Sequence, residues 1–193
     1  MTIDMMFRMR ASHTILRAIA ACISLASVAV DVAAQSQVDR QIIQLRQHTE
    51  GAIARGDLRS AEMLIDTYLT AAQRHPAPTW HLFNGHLIAC RIKLALDKTE
   101  EAVRHSTELD AIVSRSKRTD TMEHAIAVIT RAQVQQKQGH AAEAAESART
   151  AIAALRRAHE RGRITRRTFE TELLAYEDVL IQASAGRKTP TAP

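Results

Sequence analysis

A pattern that recurs every 41 or 42 residues constrains the fold of this chain more than any other feature. When Gly56, Asp97 and Gly139 are aligned, small or apolar residues occupy the same offsets in three copies. The matching sets are Thr49, Cys90 and Ala132 before the markers, and Ala61, Ala102 and Ala144, then Ala72, Val113 and Leu155, after them. Such repetition predicts a stack of similar units that bury one continuous core between them.

Within each copy, apolar residues recur at intervals of three and four, which is typical of α-helices. The spacing predicts helices at about 38–55, 58–72, 80–96, 99–114, 120–137, 141–160 and 166–183. The prolines in 75–79 separate the second helix from the third, because proline lacks an amide donor. Asp97 and Glu100 are placed like a capping pair for the fourth helix.

Composition indicates how these helices pack. Aromatic residues make up 3% of the chain, and it has only 6 glycines and 4 prolines. An all-α fold with a core of small aliphatic side chains is therefore expected. Ala144, Ala148, Ala151 and Ala158 form a narrow ridge on the sixth helix, where small side chains allow neighbouring helices to approach closely.

The first 34 residues have the pattern of a secretory signal. Arg8, Arg10 and Arg17 precede an uncharged segment at 18–30, and small residues end at Ala34. We expect cleavage after Ala34, export to the bacterial periplasm, and a repeat domain at 35–183. The alternatives are a retained membrane anchor, although the segment is shorter than the roughly 20 residues of a span, and a lipoprotein modified at Cys22. The polar segment 184–193 is expected to be disordered.

Export would leave Cys90 as the one cysteine of the mature chain, so no intramolecular disulfide is expected. The full chain carries a net charge of +5, which suits an anionic partner without requiring one. His86 lies four residues before Cys90 and so shares a helix face with it. Two ligands do not complete a metal site, so we expect Cys90 to fill a small core position instead. Tyr68 and Trp80 are also expected in the core.

The sequence contains no glycine-rich phosphate loop, His-Glu-x-x-His, Gly-x-Ser-x-Gly or Cys-x-x-Cys motif. We therefore expect a protein that is not an enzyme and that needs no cofactor or metal. In an exported protein we also expect no nucleic-acid partner.

The segments RGDLRSAEMLI at 55–65 and KQGHAAEA at 137–144 resemble the tetratricopeptide repeat family. His75 and Pro76 close the first of these units as the family often does, and LDKTEEAV at 96–103 is a weaker copy. The resemblance covers roughly 40–183. The period exceeds the family's usual 34 residues, and Ala52, Lys93 and Gln135 stand where the family prefers a large aromatic residue.

The resemblance implies a right-handed superhelical array of about three antiparallel helix hairpins, ended by a C-terminal capping helix. A plain helical bundle is the alternative. It also implies a concave face, lined by the first helix of each hairpin, that binds a protein or peptide. Carried over to this chain, the binding residues are Arg46, Glu50, Arg91, Gln133 and Gln136.

A cluster of arginines around Gly162 supports a second hypothesis. Its members are Arg156, Arg157, Arg161, Arg163, Arg166 and Arg167. They could hold the protein on anionic lipid or polymer at the cell envelope, with affinity that falls as salt rises. The alternative is a solvated helix end, because the helix dipole favours basic residues near a C-terminus.

Overall fold

The computed structural model describes residues 37–116 and 119–185, and within these ranges the chain forms seven α-helices and no β-strand. The all-α prediction is confirmed. The predicted signal segment 1–34 lies outside the described residues, as does 186–193 of the predicted tail. None of the helices in the described part of the chain is long and apolar enough to cross a bilayer.

Helix α1 covers 37–54. The others are α2 Leu58–Gln73, α3 Thr79–Ala95, α4 Thr99–Ser116, α5 Met122–Lys137, α6 Ala141–Glu160 and α7 Arg166–Ala185. The boundaries differ from the predicted ones by no more than two residues. Helix α7 continues through Ala185, so the predicted tail begins within this helix.

The three aligned marker residues share one backbone conformation. Gly56, Asp97 and Gly139 have φ angles of +74°, +57° and +82°, in the left-handed region. After each marker, the next amide donates to a carbonyl five residues earlier: Asp57 to Ala52 at 3.0 Å, Lys98 to Lys93 at 2.8 Å, and His140 to Gln135 at 2.8 Å. This is the Schellman arrangement that ends a helix and turns the chain. The repeat is therefore also a repeat of turn geometry.

The turn geometry corrects one prediction. Asp97 was expected to cap the N-terminus of α4 together with Glu100. Helix α4 begins at Thr99, two residues after Asp97, and Asp97 itself adopts the left-handed conformation that closes α3. Its carboxylate instead pairs with Lys137 at 2.6 Å. The capping prediction is wrong because the aspartate occupies the glycine position of the turn.

Each helix packs on the next one in the chain from α2 to α7, and α3 also contacts α5, as α5 contacts α7. Ile42 and Ala52 of α1 join the core formed by α2 and α3. The aligned small and apolar residues of all three copies are buried, as predicted. Helix α3 contacts α2, α4 and α5, which explains why apolar residues occupy more than one of its faces.

The alanine ridge of α6 lies between α5 and α7. Ala144, Ala148, Ala151 and Ala158 are each 0% exposed, as the sequence predicted. Tyr176 and Val179 of α7 share a core cluster with this ridge. The C-terminal helix therefore covers apolar surface that the hairpin of α5 and α6 would otherwise expose.

Helices α2 and α3 approach each other closely at Gly85 of α3. A β-carbon at Gly85 would lie 2.6 Å from Leu69 Cδ2 and 2.8 Å from Tyr68 Cε1. Both neighbours are buried, and the Tyr68 hydroxyl donates to the His81 carbonyl at 3.1 Å, so the ring has little freedom to move. Glycine at position 85 thus sets the separation of these two helices.

We expect Gly85→Ala to reduce the free energy of unfolding by about 1–3 kcal/mol, because overpacking outweighs the better helix propensity of alanine. Gly51 in α1 is the matched control, since a β-carbon there would meet only the flexible Arg55 guanidinium, at 3.3 Å. Gly51→Ala should stabilise by up to about 1 kcal/mol. Urea denaturation measures both, and equal effects of the two substitutions would refute the close approach.

Candidate functional site

The odd-numbered helices α3, α5 and α7 form a polar cleft of about 430 Å³. Its lining includes Gln133 and Gln136, two of the predicted binding residues, with Gln182 of α7. Gln136 Nε2 donates to Gln182 Oε1 at 3.3 Å. The remainder of the lining consists of Leu94, Ala95 and Lys137. The structure thus brings two half-buried amide side chains of α5 and an exposed one of α7 to one site.

The other predicted binding residues do not line this cleft. Arg46 and Glu50 are exposed on α1 and pair with each other at 3.6 Å. Such an exposed pair contributes little to stability. Arg91 is exposed on α3, one of the helices that form the cleft. Sequence reasoning missed Gln182 because the repeat alignment did not extend into α7.

The arginine cluster is largely engaged within the protein. Asp120 is buried just before α5; it accepts a hydrogen bond from Arg161 at 2.6 Å and forms an ion pair with Arg163 at 3.0 Å. Arg166 pairs with Glu170 at 2.7 Å. Arg157 donates to the Thr119 carbonyl at 3.4 Å. Within the described ranges, the two cluster members whose side chains form no hydrogen bond or ion pair are Arg156 and Arg167, both exposed.

A buried lysine connects three helices. The Lys93 ammonium is 6% exposed and pairs with Glu62 of α2 and, at 2.6 Å, with Glu101 of α4. Lys98 joins Glu62 at 2.6 Å. Burial lowers the pKa of Lys93, but the bonds to the two carboxylates outweigh it and leave this pKa raised. The hydrogen bond from Lys93 is the main cause of the lowered pKa of each carboxyl. Lysine is accommodated in this buried position because its charge is paired with the carboxylates of Glu62 and Glu101.

Next to this network lies a cleft of about 520 Å³ that contains a pair of histidines. Nδ1 of His86 on α3 lies 3.0 Å from Nδ1 of His105 on α4, so one ring donates and the other accepts. Burial lowers the pKa of His86, an effect that the Glu108 carboxylate partly opposes. Burial and the neighbouring His86 lower the pKa of His105 to about 4. Both imidazoles are therefore neutral at pH 7.

His86 does not share a site with Cys90, in agreement with the expectation that Cys90 fills a core position. The Cys90 thiol is 0% exposed and donates to the Ala102 carbonyl at 3.5 Å. Burial raises its pKa to about 12, so this thiol stays protonated at neutral pH.

Asp39, His75 and His81 form a second polar cluster, in which one potential ligand atom of each residue lies within 4.8 Å of the others. The Ala77 amide donates to His75 Nδ1 at 3.0 Å. The proton of this ring is therefore on Nε2, which donates to Asp39 Oδ1 at 2.6 Å. Both ring nitrogens are used in hydrogen bonds, and the cluster serves to hold the proline-containing loop on α1.

Tyr68 and Trp80 differ in their environment. Tyr68 is 1% exposed, as expected of a core residue. The prediction of a buried Trp80 is wrong, because its side chain is 55% exposed in the first turn of α3. One face of the indole stacks on Phe83 at a centroid distance of 6.2 Å. Trp80 borders an apolar depression of about 260 Å³ between α3, α4 and the start of α5.

Comparison of this chain with protein-family models, with curated proteins and with solved structures finds no match. The assignment of a site therefore depends on the geometry of the chain itself.

Lys93→Met should lower the free energy of unfolding by about 1–3 kcal/mol, because Glu62 and Glu101 lose the cation between them. Lys137→Met is the matched control, since this lysine forms an exposed pair with Asp97. It should change stability by less than about 0.5 kcal/mol. Chemical denaturation at pH 7 compares the two variants. A loss at Lys93 no greater than that at Lys137 would show that the network does not stabilise the fold.

Proposed function

We propose that this chain is a non-enzymatic helical-repeat module, similar to tetratricopeptide repeat proteins, that binds an extended protein or peptide segment. The proposed binding face belongs to the odd-numbered helices. The observation that carries the proposal is the cleft at Gln133, Gln136 and Gln182, because it has both the shape and the chemistry that a peptide requires.

A superhelical array is the arrangement that we propose for the seven helices. The same left-handed turn follows α1, α3 and α5, and the odd-numbered helices α3, α5 and α7 contact one another in order. A chain in which each hairpin repeats the geometry of the one before it stacks into a solenoid. In this arrangement α7 is the capping helix, and Tyr176 and Val179 are its core contacts with α5 and α6.

The chemistry of the cleft favours the backbone of an extended segment. A glutamine side chain both donates and accepts hydrogen bonds, as a peptide group does. Gln133, Gln136 and Gln182 together provide several such groups beside the apolar surface of Leu94 and Ala95. The weak contact between Gln136 and Gln182, at 3.3 Å, is one that a ligand could replace without leaving either amide unpaired.

Positive charge near the cleft favours a segment that carries carboxylate groups. Arg91 projects from α3, which contributes Leu94 and Ala95, and its side chain forms no ion pair among the described residues. Lys137 lies at one side of the cleft, where it is paired with the exposed Asp97. Arg46 on α1 would add a further guanidinium group along the array, in competition with its exposed pair with Glu50. Guanidinium groups bind carboxylates through paired hydrogen bonds, so they would select acidic partners over neutral ones.

We further propose that the module acts outside the cytoplasm, in the periplasm, after removal of residues 1–34. The basic start, short apolar segment and small residues before Gln35 support this location. The buried, protonated Cys90 is suited to an oxidising compartment, because a core thiol that stays protonated reacts slowly.

The alternative function, in which the arginine cluster binds anionic lipid or polymer, has less support. Arg161 and Arg163 share the buried Asp120, and Arg166 is paired with Glu170. Binding to an anionic surface would have to compete with these contacts. Only the side chains of Arg156 and Arg167 would be available without breaking such contacts, and two positive charges provide little attraction to the envelope.

The cleft can be tested with peptides selected on the wild-type protein from a random display library. We expect selected peptides to be acidic, and Gln133→Glu with Gln136→Glu to weaken their binding by at least about 10-fold, because each added carboxylate repels the ligand. Arg91→Glu should act in the same direction. Fluorescence anisotropy with a labelled peptide measures each Kd.

Arg149→Glu is the control, since Arg149 is an exposed arginine of the even-numbered helix α6. It should leave the Kd unchanged. Circular dichroism establishes that every variant remains helical. The proposal is rejected if well-folded cleft variants bind the peptides as tightly as the wild type, or if Arg149→Glu weakens binding as much as Arg91→Glu does.

A further inference from the structure

The pair of His86 and His105 is the feature of the molecule that the proposed function does not use. These residues come from different helices, α3 and α4, and face each other through their Nδ1 atoms at 3.0 Å. The rings are tilted by 42° with centroids 5.3 Å apart, so they are not stacked. The pair therefore presents two nitrogen atoms to a shared point rather than two ring faces.

The separation of the two nitrogens suits a metal ion. Imidazole nitrogens bind zinc at about 2.0–2.1 Å, which places two of them about 2.9–3.4 Å apart for angles between square and tetrahedral. The observed 3.0 Å lies within this interval. An ion would sit to one side of the line between the nitrogens, so each ring would have to rotate to point its Nδ1 at the ion.

Carboxylates and access to solvent complete the environment. Glu108 is exposed on α4, one turn after His105, and its charge acts on His86. Asp66 of α2 lines the same open cleft of about 520 Å³. Lys93 and Arg104 also line the cleft, but Lys93 is already neutralised by Glu62 and Glu101. An ion can thus enter from solvent. The Glu108 carboxylate does not lie within 4.8 Å of both ring nitrogens, so its side chain would have to turn toward the ion to supply a third ligand.

We propose that His86 and His105, together with Glu108, bind a divalent transition-metal ion of the zinc type between α3 and α4. Imidazole and carboxylate ligands suit zinc, copper and nickel, and they do not favour calcium or magnesium, which prefer oxygen ligands alone. The remaining positions would be taken by water. The proposed ion would link two helices of the same hairpin, and its binding is independent of the peptide cleft.

Binding of the ion to both Nδ1 atoms involves no net release of protons to solvent. In the metal-free pair, one Nδ1 carries the proton of the hydrogen bond and the other accepts it. When the ion binds both Nδ1 atoms, the donor ring carries its proton on Nε2, so each imidazole stays neutral.

The other histidine cluster is a competing site that the experiment must distinguish. Asp39, His75 and His81 offer the same ligand types. However, the Ala77 amide donates to His75 Nδ1, and Nε2 carries the proton that bonds to Asp39. An ion there would have to break the hydrogen bonds that hold the loop.

The test is titration of the full, untagged chain with Zn²⁺ by calorimetry after removal of metals by chelation. We expect one bound zinc ion, with His86→Gln or His105→Gln weakening binding by at least about 100-fold and Glu108→Gln by about 10-fold. His48→Gln, which changes an exposed histidine of α1, and His75→Gln, in the competing cluster, should leave the affinity unchanged. Nitrogen NMR of the imidazoles should show zinc-dependent shifts at Nδ1 of His86 and His105.

Three results would overturn the proposal: no zinc binding by the wild type at millimolar zinc, unchanged affinity in both His86→Gln and His105→Gln, or loss of binding in His75→Gln alone. Circular dichroism without metal shows whether each variant folds. If the histidine variants are unfolded, two other measurements decide. They are the zinc affinity of the exposed Glu108→Gln variant and the zinc-dependent imidazole NMR shifts of the wild type. Full affinity in that variant, with no shift at either Nδ1, contradicts the site.

Discussion

The left-handed turn at Gly56, Asp97 and Gly139 is the constraint on which the rest of the structure depends. It ends the first helix of each hairpin at a fixed point and directs the second helix back along it. Because the turn recurs at a nearly constant interval, the small buried residues recur at the same sequence distance from it in each copy. A fourth turn of this type, at Gly162, introduces the final helix.

Most of the fold could be predicted from the sequence because its signals are local. Helix spacing depends on residues three and four apart, and the turn depends on a single position. The buried alanines of α6 were identified from their periodicity alone. The error at Asp97 has a physical basis: aspartate is common both before a helix and, less often, in the left-handed conformation.

The functional features depend on contacts between distant parts of the chain, which periodicity does not encode. Lys93 could not be recognised as buried without knowing that Glu62 and Glu101 reach it from separate helices. The four-residue spacing places His86 on the same helix face as Cys90, whereas the structure pairs His86 with His105 on the next helix. In the polar cleft, Gln133 and Gln136 of α5 could be predicted, because the family resemblance implies binding by the first helix of each hairpin. Gln182 of α7 could not be predicted in this way.

The effect of Asp97→Gly on the free energy of unfolding tests the shared turn most directly. A left-handed conformation at this position predicts stabilisation by about 0.5–1 kcal/mol, because glycine relieves the strain of a side chain there. Asp97→Asn separates the loss of the exposed pair with Lys137 from the backbone effect. Destabilisation by Asp97→Gly relative to Asp97→Asn, as expected for glycine within an ordinary helix, would contradict the repeated turn.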